Sequence, residues 1–143
     1  MPLMQKGVSM LANRMPKVIN PKTHAVIDYI VAGTFFAMAA TFFRRGHKRA
    51  GISAIACGTA ATANSLITDY PGGVFKIMSF QNHGRVDMGL GALTAALPGM
   101  MGLDTDAEYR FFQGMAVAET AVTAMTDFDA MNRTDYYRHR TAA

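Results

Sequence analysis

The sequence predicts an all-α fold: a bundle of four transmembrane helices built from a tandem duplicated helical hairpin, with an amphipathic interfacial helix at each terminus. Three observations predict it. No Asp, Glu, Lys or Arg stands between Asp28 and Arg44, between Arg49 and Asp69, or between Asp87 and Asp104. With its flanking turns, each of these gaps approaches the ~20 residues that span ~30 Å of hydrocarbon. A unit also recurs: His24 and Asp28 open one apolar run, His83 and Asp87 open another, and a following run ends in Thr68-Asp69-Tyr70 or Thr126-Asp127-Phe128. Finally, the runs lack the polar stripe that a helix of a soluble bundle carries, and residues 52–67 hold nothing more polar than Ser, Thr and Asn64. A soluble four-helix bundle with helices apolar all round is the rival reading.

The elements follow in order. Residues 1–19 set Leu3, Met4, Val8, Leu11, Met15 and Val18 against Gln5, Lys6, Ser9, Asn13, Arg14 and Lys17, the pattern of an amphipathic arm lying at a membrane interface or docking another subunit. Asn20-Pro21 starts the first helix, because Asn caps and Pro suits the first helical position. That helix covers about 22–43 and turns at the basic stretch from Arg44 to Arg49, broken by Gly46. The second, about 50–68, is built of Ala, Gly, Ser and Thr, with Ala54 and Gly58 spaced for close helix contact; it should be the most protein-enclosed of the four. Asp69-Tyr70-Pro71-Gly72-Gly73 is a turn by composition, and 74–80 is a short apolar segment that is re-entrant, interfacial or a half-buried loop. The third helix covers about 82–101, with Pro98 near its end. The fourth covers about 107–126, capped by Asp104 or Asp106. Residues 129–143 form an amphipathic tail with Tyr136 and Tyr137 as interfacial anchors. The first repeat is thus about 22–70 and the second about 81–128, within one membrane domain over 1–143.

The formal charge of +4 does not point to nucleic acid, since the basic residues cluster at run ends, where they would meet lipid headgroups. With four spans, the side holding the termini and the 69–83 loop carries nine Lys/Arg and the other side five. By the positive-inside rule this leans toward cytoplasmic termini, although the Arg44–Arg49 turn pulls the other way. The one cysteine, Cys57, lies in an apolar run and excludes a disulfide framework or a Cys-based metal motif. The twelve Met are scattered, which suits adaptable packing rather than copper binding.

Helices 1 and 3 start where helices 2 and 4 end, so His24, Asp28, Asp69, His83, Asp87 and Asp127 should converge at one end of the bundle. Four readings of that cluster are open. A His from a helix start could close each hairpin on Asp69 or Asp127 as a structural clamp. Imidazole and carboxylate together could hold a divalent ion such as Zn, Fe or Mn. The same groups could relay protons. His24 and His83 could also be axial ligands of one haem, the least favoured of the four. Glu119 lies two turns deeper than Asp127, an intramembrane carboxylate whose counterpart in the first half is Ala61. Asn64, Arg85 or a neighbouring subunit are its candidate partners.

The recurring His-x-x-x-Asp, the Thr-Asp that ends the following run, and Ala96-Leu97-Pro98-Gly99-Met100-Met101-Gly102 closing the third run resemble small bacterial integral membrane proteins of the SPW-repeat type. The likeness covers about 22–128. Leu97-Pro98-Gly99 echoes the Ser-Pro-Trp signature only in part, and the chain has no Trp. The resemblance implies a duplicated four-span fold in a bacterial inner membrane and carries no activity with it. The expected function is therefore a non-catalytic accessory subunit of a larger membrane complex, in contact with bound lipids and other membrane subunits. The alternative is a small metal-binding or proton-handling protein that uses the His/Asp cluster.

Overall fold

The computed structural model describes residues 15–103 and 105–134. Most of the N-terminal arm, Asp104 and the C-terminal tail from 135 lie outside the described residues, and so do the interfacial roles expected of them.

Among the described residues, four long helices form the bundle: α1 Pro21–Arg44, α2 Lys48–Ile67, α3 Phe80–Met101 and α4 Asp106–Met125. The starts of α1 and α3 are built alike. Asn20 accepts a hydrogen bond from the Thr23 amide, with Pro21 at the first helical position, and Ser79 accepts one from the Asn82 amide. These caps satisfy amides that a helix start otherwise leaves unpaired. Asp104 and Asp106 were expected to cap α4, but Thr105 does so. Its hydroxyl accepts from the Glu108 amide while the Glu108 carboxylate accepts from the Thr105 amide, a reciprocal capping box. Gly102, in the left-handed region at φ +57°, ends α3.

α1 packs antiparallel on α2 and α3 on α4, and the two hairpins meet chiefly through α2 and α3. On α2 the small residues allow the close approach: a Cβ added at Gly58 would come within 3.0–3.2 Å of Phe36 and Phe35. Eight of its twenty residues are buried. Two very short parallel pairings tie the site end together. Thr68–Asp69 pairs with Met78–Ser79, and Ile19 bridges Thr126. Residue 78 stands to 19 as 83 stands to 24, so the two pairings are counterparts in the two halves.

The apolar core lies toward the other end. Phe35 and Phe42 of α1 pack with Phe112 of α4, all three buried, and with the half-buried Phe111. Of the four helices, α1 and α2 are long and apolar enough to cross a membrane; α3 and α4 do not reach that mark, against the expectation of four spans. They are of similar length, 22 and 20 residues. Arg85 and Asp87 near the start of α3, and Asp106, Glu108, Arg110 and Glu119 along α4, lower their hydropathy.

Candidate metal centre

The helix starts place two histidines and two aspartates face to face. His24 and Asp28 lie one turn apart on α1, as do His83 and Asp87 on α3, so each pair shares a helix face. The packing of the two hairpins brings the faces together. Both histidines are fully buried. Their Nε2 atoms are 3.1 Å apart. His24 Nε2 is 3.2 Å from Asp28 Oδ1 and 3.2 Å from Asp87 Oδ2, and His83 Nε2 is 3.2 Å from Asp28 Oδ2 and 2.9 Å from Asp87 Oδ2. One ligand atom from each of the four residues falls within 4.8 Å of all the others.

The hydrogen bonds behind these atoms decide where the imidazole protons sit. Thr126 Oγ1 donates its proton to the Val122 carbonyl at 2.7 Å, so toward His24 Nδ1, 2.7 Å away, it can only accept. Thr68 Oγ1 likewise donates to the Asn64 carbonyl at 2.6 Å and accepts from His83 Nδ1 at 2.8 Å. A hydroxyl has one proton to give, so both Nδ1 atoms carry N–H. In neutral imidazoles, both Nε2 lone pairs then face each other and two carboxylates. Four electron-rich atoms meet there with no proton between them, and such a set needs a cation or added protons to be stable.

Outer contacts hold the carboxylates. Tyr70 Oη donates to Asp28 Oδ2 at 2.7 Å; Ser65 Oγ lies 3.4 Å from the same oxygen, but its nearer acceptor is the Ala61 carbonyl at 3.0 Å. Burial, the largest cause, holds the Tyr70 phenol above its ordinary range, so it remains a donor. Asn64 Nδ2 donates to Asp87 Oδ1 at 2.8 Å. Tyr70, Phe80 and Phe128 wall off the rings of His24 and His83. At Gly84 an added Cβ would fall 2.6 Å from the Phe128 ring, so glycine lets that aromatic close over the site.

Of the six residues expected to converge, His24, Asp28, His83 and Asp87 do, while Asp69 and Asp127 do not. Asp69 is exposed and pairs with Lys76 at 3.2 Å, and Asp127 pairs with Arg133. The expected closure of each hairpin by a His–Asp clamp is replaced by His–Thr bonds. Each histidine reaches the end of the other hairpin, not its own: His24 bonds Thr126 and His83 bonds Thr68. The reason is local: Thr68 and Asp69 are consecutive extended residues, so their side chains point to opposite faces and the Thr turns inward. Thr68, Thr126, Tyr70 and Ser65 were not singled out from the sequence, although the repeated Thr before the Asp was a signal for two of them. Of the candidate partners for Glu119, Asn64 serves Asp87, and Arg85 is exposed and donates to Asn82.

Compared with family models, curated proteins and solved structures, the chain matches none of them.

Proposed function

We propose that this chain is an integral membrane protein that binds one divalent first-row transition-metal ion through His24, Asp28, His83 and Asp87. The observation that carries the reading is the orientation of the imidazoles. Both Nδ1–H groups are committed to threonine oxygens, so both Nε2 atoms face the carboxylates and, in neutral imidazoles, present their lone pairs there. Metal-bound histidines are usually held in this way, with the second ring nitrogen donating to a fixed acceptor. Two carboxylates balance the charge of a divalent ion, and imidazole with carboxylate suits Mn, Fe or Zn. Neighbouring ligand atoms stand 2.9–3.2 Å apart. Around an ion bonded at ~2.1 Å, adjacent vertices are ~3.0 Å apart on an octahedron and ~3.4 Å on a tetrahedron. The spacing is closer to the octahedron, which, with each residue binding through one atom, leaves two positions for other ligands. Axial haem ligation fits poorly, because two nitrogens across an iron would stand ~4 Å apart with a porphyrin between them.

The membrane reading rests on which side chains face outward. From 29 to 43, 50 to 67, 86 to 101 and 111 to 125 no exposed position is charged. The exposed set includes Ile30, Phe36, Ile52, Ile55, Leu93, Met100 and Val117, while the polar residues His24, Asn64, Ser65, His83 and Thr94 are buried. Polar inside and apolar outside suits a bundle surrounded by lipid. At 1.5 Å per residue these stretches are ~22–27 Å long, which approaches the hydrocarbon thickness. On this reading all four helices span, in a tandem duplicated arrangement like that implied by the SPW-repeat resemblance.

The test is metal analysis of the protein extracted from its own membranes in mild detergent, after a high-pH wash of those membranes. The expected result is retention in the membrane and close to one transition-metal ion per chain, lost in His83→Ala. A folded, membrane-retained protein with no metal would refute the centre, and release into the wash would refute the membrane placement.

A second reading, accessory subunit of a larger membrane complex, is favoured by the loop joining the hairpins. Val74, Phe75 and Ile77 are 64%, 64% and 77% exposed, more than most of the outward helix residues, and a partner or the membrane interface would cover them. Native mass in mild detergent tests it: migration with larger proteins supports the reading, and migration alone refutes it.

A further inference from the structure

A partly enclosed cavity of about 30 Å³ adjoins three of the four ligands on the side toward the middle of the bundle. His24, Asp28 and Asp87 form one end of it, and Glu119 lies deeper along α4. The walls correspond between the two halves: Val31 faces Leu90 and Ser65 faces Thr123. A third pair, Ala61 and Glu119, departs from this match. A methyl group stands in one half and a carboxyl in the other. Glu119 Oε2 is buried and has no hydrogen-bond partner among the described residues. Buried polar atoms are nearly always paired, and a polar cavity next to one is where water resides. A water needs ~10–15 Å³ of such space, so this cavity holds about two.

We infer that this cavity is the exchangeable-ligand site of the metal centre, taking a small neutral protic molecule, water in the resting protein, whose oxygen binds the ion and whose hydrogen is donated to Glu119 Oε2. This rests on the metal reading above. Nonpolar walls of Ile27, Val31, Leu90 and Val122 exclude larger or charged ligands, and the two positions left open by four protein ligands supply the place of attachment. Glu119 is a positioning residue: it touches the added ligand and not the ion.

The experiment loads the purified, detergent-solubilised protein with Mn²⁺, measures stoichiometry first, and then records the magnetic coupling of the ion to ¹⁷O-labelled water. Wild type should bind one Mn²⁺ and show a coupled water oxygen. Ala61→Leu fills the cavity and should keep the ion while losing that coupling. Glu119→Leu removes the acceptor and should keep the ion while the coupling weakens or disappears. If Ala61→Leu does not yield folded protein, Ala61→Val makes the same test with a smaller group. Unchanged coupling in the folded cavity-filling variant and in Glu119→Leu would overturn the inference and leave the metal reading standing. Failure of wild type to bind Mn²⁺, Fe²⁺ or Zn²⁺ would overturn both.

Discussion

Each end of the bundle sets histidine against carboxylate, and the two ends do it differently. At the end with the basic turn, His47 Nδ1 meets Glu108 Oε1 at 3.0 Å. The other Glu108 oxygen is occupied by the Thr105 capping box, and His47 is partly exposed to solvent. One histidine meets one carboxylate whose lone pairs are used locally, and the result is a clamp that joins the α1–α2 turn to the start of α4. At the opposite end, two histidines give up Nδ1 to threonines and present Nε2 to two carboxylates. The same residue types thus make a structural tie in one place and a converging set of ligand atoms in the other. What separates them is which ring nitrogen faces the acid and what already holds the other nitrogen.

Substitutions can break that contrast at either end. The largest effect is expected from His83→Ala or Asp87→Asn. Each removes a ligand and should lower metal affinity by more than the ~10–100-fold that loss of a supporting bond costs, as read by chelator competition. Next is Phe112→Ala in the aromatic core. Emptying this fully buried site should lower stability by ~3–5 kcal/mol, measured by unfolding in detergent, while the folded protein still binds one ion. Loss of the ion from folded Phe112→Ala would mean that the centre depends on general packing.

Thr68→Val sharpens the contrast most, because it leaves every ligand in place. Without an acceptor for His83 Nδ1–H, the affinity should fall ~10–100-fold, and Thr68→Ser should restore it; a purely structural cluster has no metal affinity to lose. The smallest effect belongs to Glu108→Gln at the opposite end. A Gln can keep the capping box, so the loss is a partly exposed ion pair of about 1 kcal/mol or less, with metal stoichiometry unchanged.

Most of this architecture can be read in the chain. Charge-free runs located α1, α2 and α3 to within a few residues, and a weaker run interrupted by Arg110, Gln113 and Glu119 located α4; of the four, α1 and α2 reach the hydropathy of a membrane span. Four of the six polar residues converge because helical spacing is predictable: His24 with Asp28 and His83 with Asp87 lie one turn apart wherever the helices sit. Asp69 and Asp127 failed because they stand just past a helix end in extended backbone, where a shift of one residue reverses the side chain. The supporting bonds from His24 to Thr126, from His83 to Thr68 and from Asn64 to Asp87 were not legible, because they cross between hairpins and depend on how these dock. Glu119 was legible as a deep carboxylate and as a break in the repeat, Ala61 against Glu119; the unpaired Oε2 and the adjoining cavity required the packed structure.

The most direct test of the central claim is the X-ray absorption spectrum of the metal in protein purified from its own membranes. Two imidazole nitrogens, carboxylate and water oxygens at ~2.0–2.2 Å, and no sulfur are the expected ligand set, with one imidazole contribution lost in His24→Ala if an ion is still held. A spectrum showing sulfur, a single imidazole, or no metal in the folded protein would contradict the account.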